Sequence, residues 1–359
     1  MSAHIFKLRY GVLDMGTIFI ILGKQTKVIM RIKMAQYGIL HDHAHGKTKV
    51  MKDSQDVDLA GIYEPDILAK QKWEKNLLFK DLRWFSSPSE MLEDHDIQAI
   101  AIQGRVSDNL SFAEQALIHN KHVWLDKPAG DDLQHFQKIL HIAKSKNLLV
   151  QLGYMFRYNA GFKFLMDWAK KGKLGDIFSV RARISTGNVN EKHWRRWNSN
   201  GERNGGIIFI LACHVIDIIV SLMGRPDRVT PFLRHDGSNF DWFKDNNVVV
   251  FEYDKGQAVL ESTALEVSSG LSRRIEVYGT KGSIIMEPLE PPRLRLCLDA
   301  DRSGYKKGWQ IIEVKTHPRY VGSLQAFVAD IRGQKEPDRS LDHEYIVQET
   351  VLRASGLES

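Results

Sequence analysis

Apolar residues change their spacing at Gly153. Between Arg31 and that point, short unbroken apolar runs (MAQYGIL at 34–40, VDLAGIY at 57–63, IQAIAI at 97–102, KHVWL at 121–125) alternate with amphipathic stretches, and LLVQLG closes the series. Runs without alternation are expected of strands covered by helices on both faces, and strand, helix, strand in repetition predicts a parallel sheet with right-handed crossovers. Helices are predicted over Leu110–Asn120, with Asn120 at a C-cap-like position, and over Leu133–Lys146 after the Asp131–Asp132 pair.

Beyond Gly153 a helix is predicted over Phe162–Lys171, followed by the Gly172–Gly175 turn and by longer segments of strict alternation: FSVRARIST, NVVVFEY, GQAVLEST and SRRIEVYG. Alternation predicts an antiparallel sheet with one wet face. Further helices are expected from Gly206 to Met223, Ser323 to Arg332 and His343 to Ser355.

The first 29 residues do not fit this scheme. Lys7 and Arg9 precede an apolar run from Tyr10 to Gly23, but Asp14 interrupts it and no small-residue cleavage site follows. The run is also shorter than the ~20 residues of a membrane span. Residues 1–29 are therefore expected to be an extension outside the fold, with the natural start at Met30 or Met34, and no membrane association is expected.

The formal net charge is +6, yet Lys and Arg are interspersed with Asp and Glu along the whole chain. Without a basic block, nucleic-acid binding is not expected, while a mild basic surplus suits an anionic cofactor. Cys213 and Cys297 are the only cysteines, which excludes a disulfide framework and fits the cytoplasm.

The turn after the first strand reads Gly38-Ile39-Leu40-His41-Asp42-His43-Ala44. A dinucleotide loop needs glycine where the backbone turns tightly towards a pyrophosphate that a helix N-terminus then holds. Gly38 meets that need, whereas Leu40 puts a bulky side chain at the position of close approach. His41, Asp42, His43 and His45 raise the idea of a metal cluster, with His41 and His45 on one face of a helix; solvated loop histidines are the better-supported reading, and no metal is expected. Glu64, at the end of the second strand, is placed to hydrogen-bond ribose hydroxyls and repel a 2′-phosphate, which favours NAD over NADP; Asp66 competes for that role.

Five segments in order, HVWLDKPAG, QLGYMFRYNAGFKFL, KLGDIFSVRAR, GGIIFILACHVIDII and IEVYGTKGSIIMEP, resemble the motif series of the Gfo/Idh/MocA oxidoreductase family and span roughly residues 30–355. The resemblance implies an α/β chain: an N-terminal Rossmann domain, 30–152, binding NAD or NADP, and a C-terminal α+β domain, 153–359, with an open, mostly antiparallel sheet, closing helices at 323–355, and contacts that build a homo-oligomer. It implies a sugar or cyclitol substrate. Gly38, Leu40, His41, His43, Glu64 and the Asp126-Lys127-Pro128 segment are the expected cofactor contacts.

Oxidising a secondary alcohol requires a group to accept the hydroxyl proton and donors to orient the forming carbonyl oxygen. By resemblance Lys127, in a solvent-reachable cleft, contacts nicotinamide ribose and substrate, and His214 accepts the proton or partners Lys127. The family aspartate four residues before this histidine is here Ile210, and Asp217 is the remaining candidate to support it. Cys213 points about 100° away from His214 on a helix, which disfavours a Cys–His nucleophile. Arg157, Tyr158, Lys192, Trp194 and Arg195 are candidates for substrate hydroxyls. The leading expectation is a dehydrogenase. The alternatives are an NAD-dependent glycoside-cleaving enzyme and, given Leu40 and Ile210, a non-catalytic sensor or subunit.

Overall fold

The computed structural model describes residues 30–187, 205–237 and 242–358. The expectations for residues 1–29 and for Lys192, Trp194 and Arg195 lie outside the described residues.

The first segment runs β1 (Ile32–Tyr37), α1 (Ala44–Asp53), β2 (Val57–Tyr63), α2 (Ile67–Trp73), α3 (Pro88–Leu92), β3 (Ala99–Ile102), α4 (Val106–Ile118), β4 (His122–Leu125), α5 (Leu133–Ser145) and β5 (Val150–Leu152). Its strands pair in parallel in the order β2-β1-β3-β4-β5. All four residues of β3 are buried, as its unbroken apolar run predicts. The chain order reverses on either side of β1, so a crevice opens at the carboxyl ends of β1 and β3, where such sheets bind ligands. Helix α4 ends as expected, with Asn120 left-handed at φ 60°, but starts at Val106, four residues early, because Val106 and Asn109 already face the core.

The second segment opens with a 3₁₀ turn (Met155–Tyr158) and α6 (Ala160–Lys170), then β6 (Ile177–Arg183). A π-helical turn, Ile208–Ala212, runs directly into α7 (Cys213–Met223). There follow β7 (Arg228–Arg234), β8 (Asn246–Glu252), β9 (Gln257–Thr263), the single turn α8 (Ser269–Ser272), β10 (Arg274–Gly279), β11 (Gly282–Leu289), β12 (Pro292–Leu298), β13 (Gly308–Ile312), α9 (Val321–Ile331) and α10 (Leu341–Ala354).

These strands form one sheet in the order β13-β12-β11-β10-β6-β9-β8-β7, antiparallel throughout except for the β6–β9 pair. Alternation sets its faces: Asn247, Val249 and Phe251 of β8 are buried while Val248 is exposed. The buried face packs on α6 and α7, and one continuous apolar cluster runs from Ile102 and Leu125 through Phe162 and Ile216 to Val249 and Leu294. Helix α9 returns to the first sheet, where Leu324, Phe327 and Val328 cover Met34, Ala101 and Trp124. Among the described residues no helix is long and apolar enough to cross a membrane.

Candidate active site

The turn after β1 is closed by Gly38, whose φ is +81° and where a Cβ would stand 2.5 Å from the Gly104 Cα. Only glycine fits such a conformation against another backbone. Beside it lies a cavity of about 440 Å³ bordered by Ile39, Leu40, Asp42, Asp66 and Arg105. Helix α1 carries no acid in its first turn, so its N-terminal dipole favours an anion there. This cavity, the glycine turn and the helix end fit the adenosine and phosphate half of a dinucleotide, with half-buried Leu40 as part of the wall.

Glu64 does not take the place expected of it. Its Oε2 accepts the Ile39 N–H at 2.7 Å and its Oε1 accepts the Asp66 N–H at 2.8 Å, so the carboxylate clasps the loop and is 4% exposed. Burial pushes it up to about 7 against the pull of those N–H groups. Asp66, ion-paired with Arg105 at 2.7 Å, lies on the cavity wall together with Asp42.

Behind the loop, the end of β4 delivers Asp126 into a buried cluster. Its Oδ2 lies 3.0 Å from Lys47 Nζ and 3.4 Å from His41 Nδ1, and its Oδ1 lies 3.0 Å from His43 Nδ1. Burial opposes the charge on Asp126, but the field of His41, Lys47 and His43 outweighs it and holds the carboxyl well below its usual range. Gly153, after β5, makes room for the pair: a Cβ there would be 2.5 Å from Lys47 Nζ.

His41 is committed to the fold. Its Nε2 faces the Lys127 carbonyl at 3.0 Å and its Nδ1 accepts the His43 N–H at 3.1 Å, which fixes the Nε2–H tautomer. His41, His43 and Asp126 do bring ligand atoms within 4.8 Å of one another. The ammonium of Lys47 already balances the carboxylate and both His41 nitrogens are engaged, so the cluster is an ionic hydrogen-bond network in character. His45 is exposed and packs near Phe79, apart from His41.

Lys127 is buried, 2% exposed, in contrast to the open cleft expected for it. Its Nζ donates to the Ile210 carbonyl at 2.7 Å. Pro128 is buried beside it, and Ala129 and Gly130 are tied to Gln348 of α10. Ile210 lies in the π turn, where i→i+5 pairing disturbs the regular ladder; such turns occur often at functional sites. His214 follows on α7, 1% exposed, and its Nδ1 finds no hydrogen-bond partner among the described residues. Burial, then the nearby positive charge of Lys127, holds His214 well below its ordinary pKa, so the ring is neutral. Its neighbours are the rings of His43, Phe156 and Tyr154 at 5.7, 5.4 and 5.9 Å. Burial pushes the Cys213 thiol up to about 11, which leaves it protonated.

Three expected residues, Arg157, Asp217 and Tyr158, are placed elsewhere. Arg157 is clamped between Asp217 and Glu344, with contacts of 2.6 Å to each and 3% of its side chain exposed, so its donors are not offered to a substrate. Asp217, turned to Arg157 and to His343 at 3.4 Å, does not support His214. Tyr158 donates towards Asp338 at 3.2 Å and borders, with Arg157, a separate cavity of about 380 Å³ whose lining includes neither Lys127 nor His214.

Lys47 and Tyr320 are the site residues that sequence reasoning missed. Lys47 was legible in principle, since it lies four residues after His43 and so on the same face of α1. Tyr320, left-handed at φ 69°, seats its ring 5.3 Å from that of His43 and against Gly46, through a long-range contact that no local pattern announces.

A parallel dinucleotide-type sheet, a glycine turn under α1 and an antiparallel sheet beyond it together define an α/β protein of the dinucleotide-binding class. The chain belongs to the Gfo/Idh/MocA oxidoreductase family: residues 37–154 match its NAD-binding Rossmann fold and residues 169–354 its C-terminal alpha/beta domain. It is 26% identical over 214 residues to the uncharacterized oxidoreductase YdgJ of Escherichia coli, a match covering 59% of this chain and 60% of that protein. It is 24% identical over 301 residues to inositol 2-dehydrogenase of Serratia proteamaculans, covering 82% and 83% of the two chains. Its fold matches an Agrobacterium radiobacter oxidoreductase solved with NAD+, L-tartaric acid and magnesium, with a TM-score of 0.75 at 15% identity, covering 90% and 96%. The chain spans about three fifths of the length of the first curated relatives.

Proposed function

We propose that this protein is an NAD-dependent oxidoreductase acting on a secondary alcohol of a sugar or cyclitol, with Lys127 and His214 at the reacting hydroxyl. The observation that carries this reading is the bond from Lys127 Nζ to the Ile210 carbonyl, which brings a cationic donor from the end of β4 to the helix that bears His214. Bound NAD supplies the hydride acceptor. Gly38, Leu40, Asp66 and the α1 N-terminus would hold its adenosine and phosphates, and the Asp126-Lys127-Pro128 segment its nicotinamide end.

Lys127 orients the substrate oxygen and stabilises negative charge that develops there. Neutral His214 has a lone pair with which to accept the hydroxyl proton, and the buried surroundings exclude competing water. Similarity to an inositol 2-dehydrogenase supports the substrate class. The two free cysteines suit the cytoplasm.

The test is thermal stabilisation by NAD+ and by NADP+, followed by a panel of sugars and cyclitols read by formation of reduced nicotinamide. Ligand at 100 times its dissociation constant should add about 2.7 kcal/mol of stability. Response to neither nucleotide would overturn the proposal in favour of a non-catalytic role, and product without net reduced nicotinamide would point to glycoside cleavage. Lys127→Met keeps the apolar stem and should lower turnover by at least about 10²-fold while the fold and NAD+ stabilisation persist; near-normal turnover would remove Lys127 from the site.

A further inference from the structure

His214 lacks a carboxylate on its own helix, since Ile210 occupies the preceding turn and Asp217 is bound to Arg157. What faces it is His43, its ring tilted 33° to that of His214, and behind His43 stands Asp126. Asp126 is ionised, so it can only accept; His43 therefore carries its proton on Nδ1, the nitrogen 3.0 Å from Asp126 Oδ1. The lone pair of the neutral His43 ring is then on Nε2, away from the carboxylate.

We propose that Asp126 and His43 form a relay that replaces the missing carboxylate of His214, an inference that rests on the alcohol-oxidising role of His214. In the relay the substrate O–H bond breaks as an N–H bond forms on one nitrogen of His214. The proton on its other nitrogen leaves for His43 Nε2, directly or through one water, given the 5.7 Å ring separation. His214 ends neutral in its other tautomer, and His43 becomes an imidazolium paired with Asp126. Lys47 and Asp126 are positioning residues: the lysine keeps the carboxylate ionised, and the carboxylate fixes the His43 tautomer.

The groups that set the proton affinity of His43 are Asp126, which favours the imidazolium, and Lys47, Lys127, His41 and His214, which oppose it. Tyr320 packs on the ring, and Arg319 adds positive charge near His214.

The test needs neither NAD nor substrate. In full-length protein labelled with 15N-histidine, ring-nitrogen signals of His43 and His214 are followed against pH in the wild type, His43→Gln and Asp126→Asn. The relay predicts Nδ1–H for His43 and a shared titration midpoint for both rings. That midpoint falls by about one to two pH units in Asp126→Asn, which removes a charge-assisted hydrogen bond to the imidazolium. In His43→Gln, which retains Asp126–Lys47, the His214 midpoint moves. A His214 ring that titrates identically in all three proteins overturns the relay and leaves the oxidoreductase reading standing. Failure of NAD+ to stabilise the protein would remove the latter without touching the coupling.

Discussion

Replacing Arg157 with Met separates a structural arginine from a substrate-binding one. The guanidinium donates to both oxygens of Asp217 from Nε and Nη2, and to both oxygens of Glu344 from Nη1 and Nη2. Asp217 is fully buried and the Glu344 side chain is 1% exposed. Methionine fills much of the same volume but leaves two carboxylates without their cation, a loss that costs roughly 3–5 kcal/mol. His343 near Asp217 and the Leu152 N–H on Glu344 offer partial replacement, so about 3 kcal/mol is expected.

The sign with pH is distinctive. In the wild type Arg157 and His343 outweigh burial and hold Asp217 below its unfolded value, so its contribution is present above about pH 4 and fades as pH falls. Without Arg157, burial raises the Asp217 carboxyl and the variant loses stability as pH rises from about 4 towards neutrality. The gap between the two proteins should widen with pH, read by urea unfolding at several pH values. A deficit under about 1 kcal/mol at pH 7, well short of the cost of breaking a buried pair, would refute the clamp; a raised KM with unchanged stability would restore Arg157 to the substrate.

Gly153→Ala drives a Cβ to 2.5 Å from Lys47 Nζ and 3.0 Å from Asp126 Oδ1, and should destabilise the protein by about 1–3 kcal/mol in the same unfolding assay. Glu64, pushed up to about 7 by burial, binds its proton more tightly when folded. Its contribution should therefore be greatest below about pH 4.5 and lost as pH rises to about 7, a slope that Glu64→Gln removes. The outer face of the second sheet exposes Phe232, Trp309 and Ile311, the last at 75%. If that face joins subunits, light scattering finds an oligomer that Ile311→Glu weakens; a monomeric wild type refutes this.

The first sheet was legible because its inner strands are buried on both faces, and β1 begins at Ile32, next to Arg31 where the apolar series starts. Alternation located β6, β8, β9 and β10 for the opposite reason, one wet face each. The site was legible only as far as single positions carried their chemistry in the chain. Lys127 is tied to the π turn ahead of His214 by the Ile210 carbonyl, a backbone group that every residue possesses and no side-chain pattern reports. The inward turn of Arg157 and Glu64 was not legible, because a charged residue at an element's end looks the same whether it faces a ligand or turns inward. The decision lay with Asp217, Glu344 and the Ile39 N–H, at least 25 residues away in the chain.

Of the two departures that pointed to a non-catalytic relative, Leu40 and Ile210, the second has a physical explanation that involves the histidine-rich turn. Lys127 needs an acceptor from the π turn, and the Ile210 carbonyl provides it whatever the side chain. A carboxylate at the buried Ile210 position would be a further negative charge to hold in the interior, where Asp126 already has Lys47 against it. Burying a second charge without its own partner costs several kcal/mol. With isoleucine there, a single anion at the end of β4 is shared by Lys47 and His43, and the His43 ring faces His214. In the proposed relay, the carboxylate absent from the helix is thus supplied by Asp126, from the end of β4.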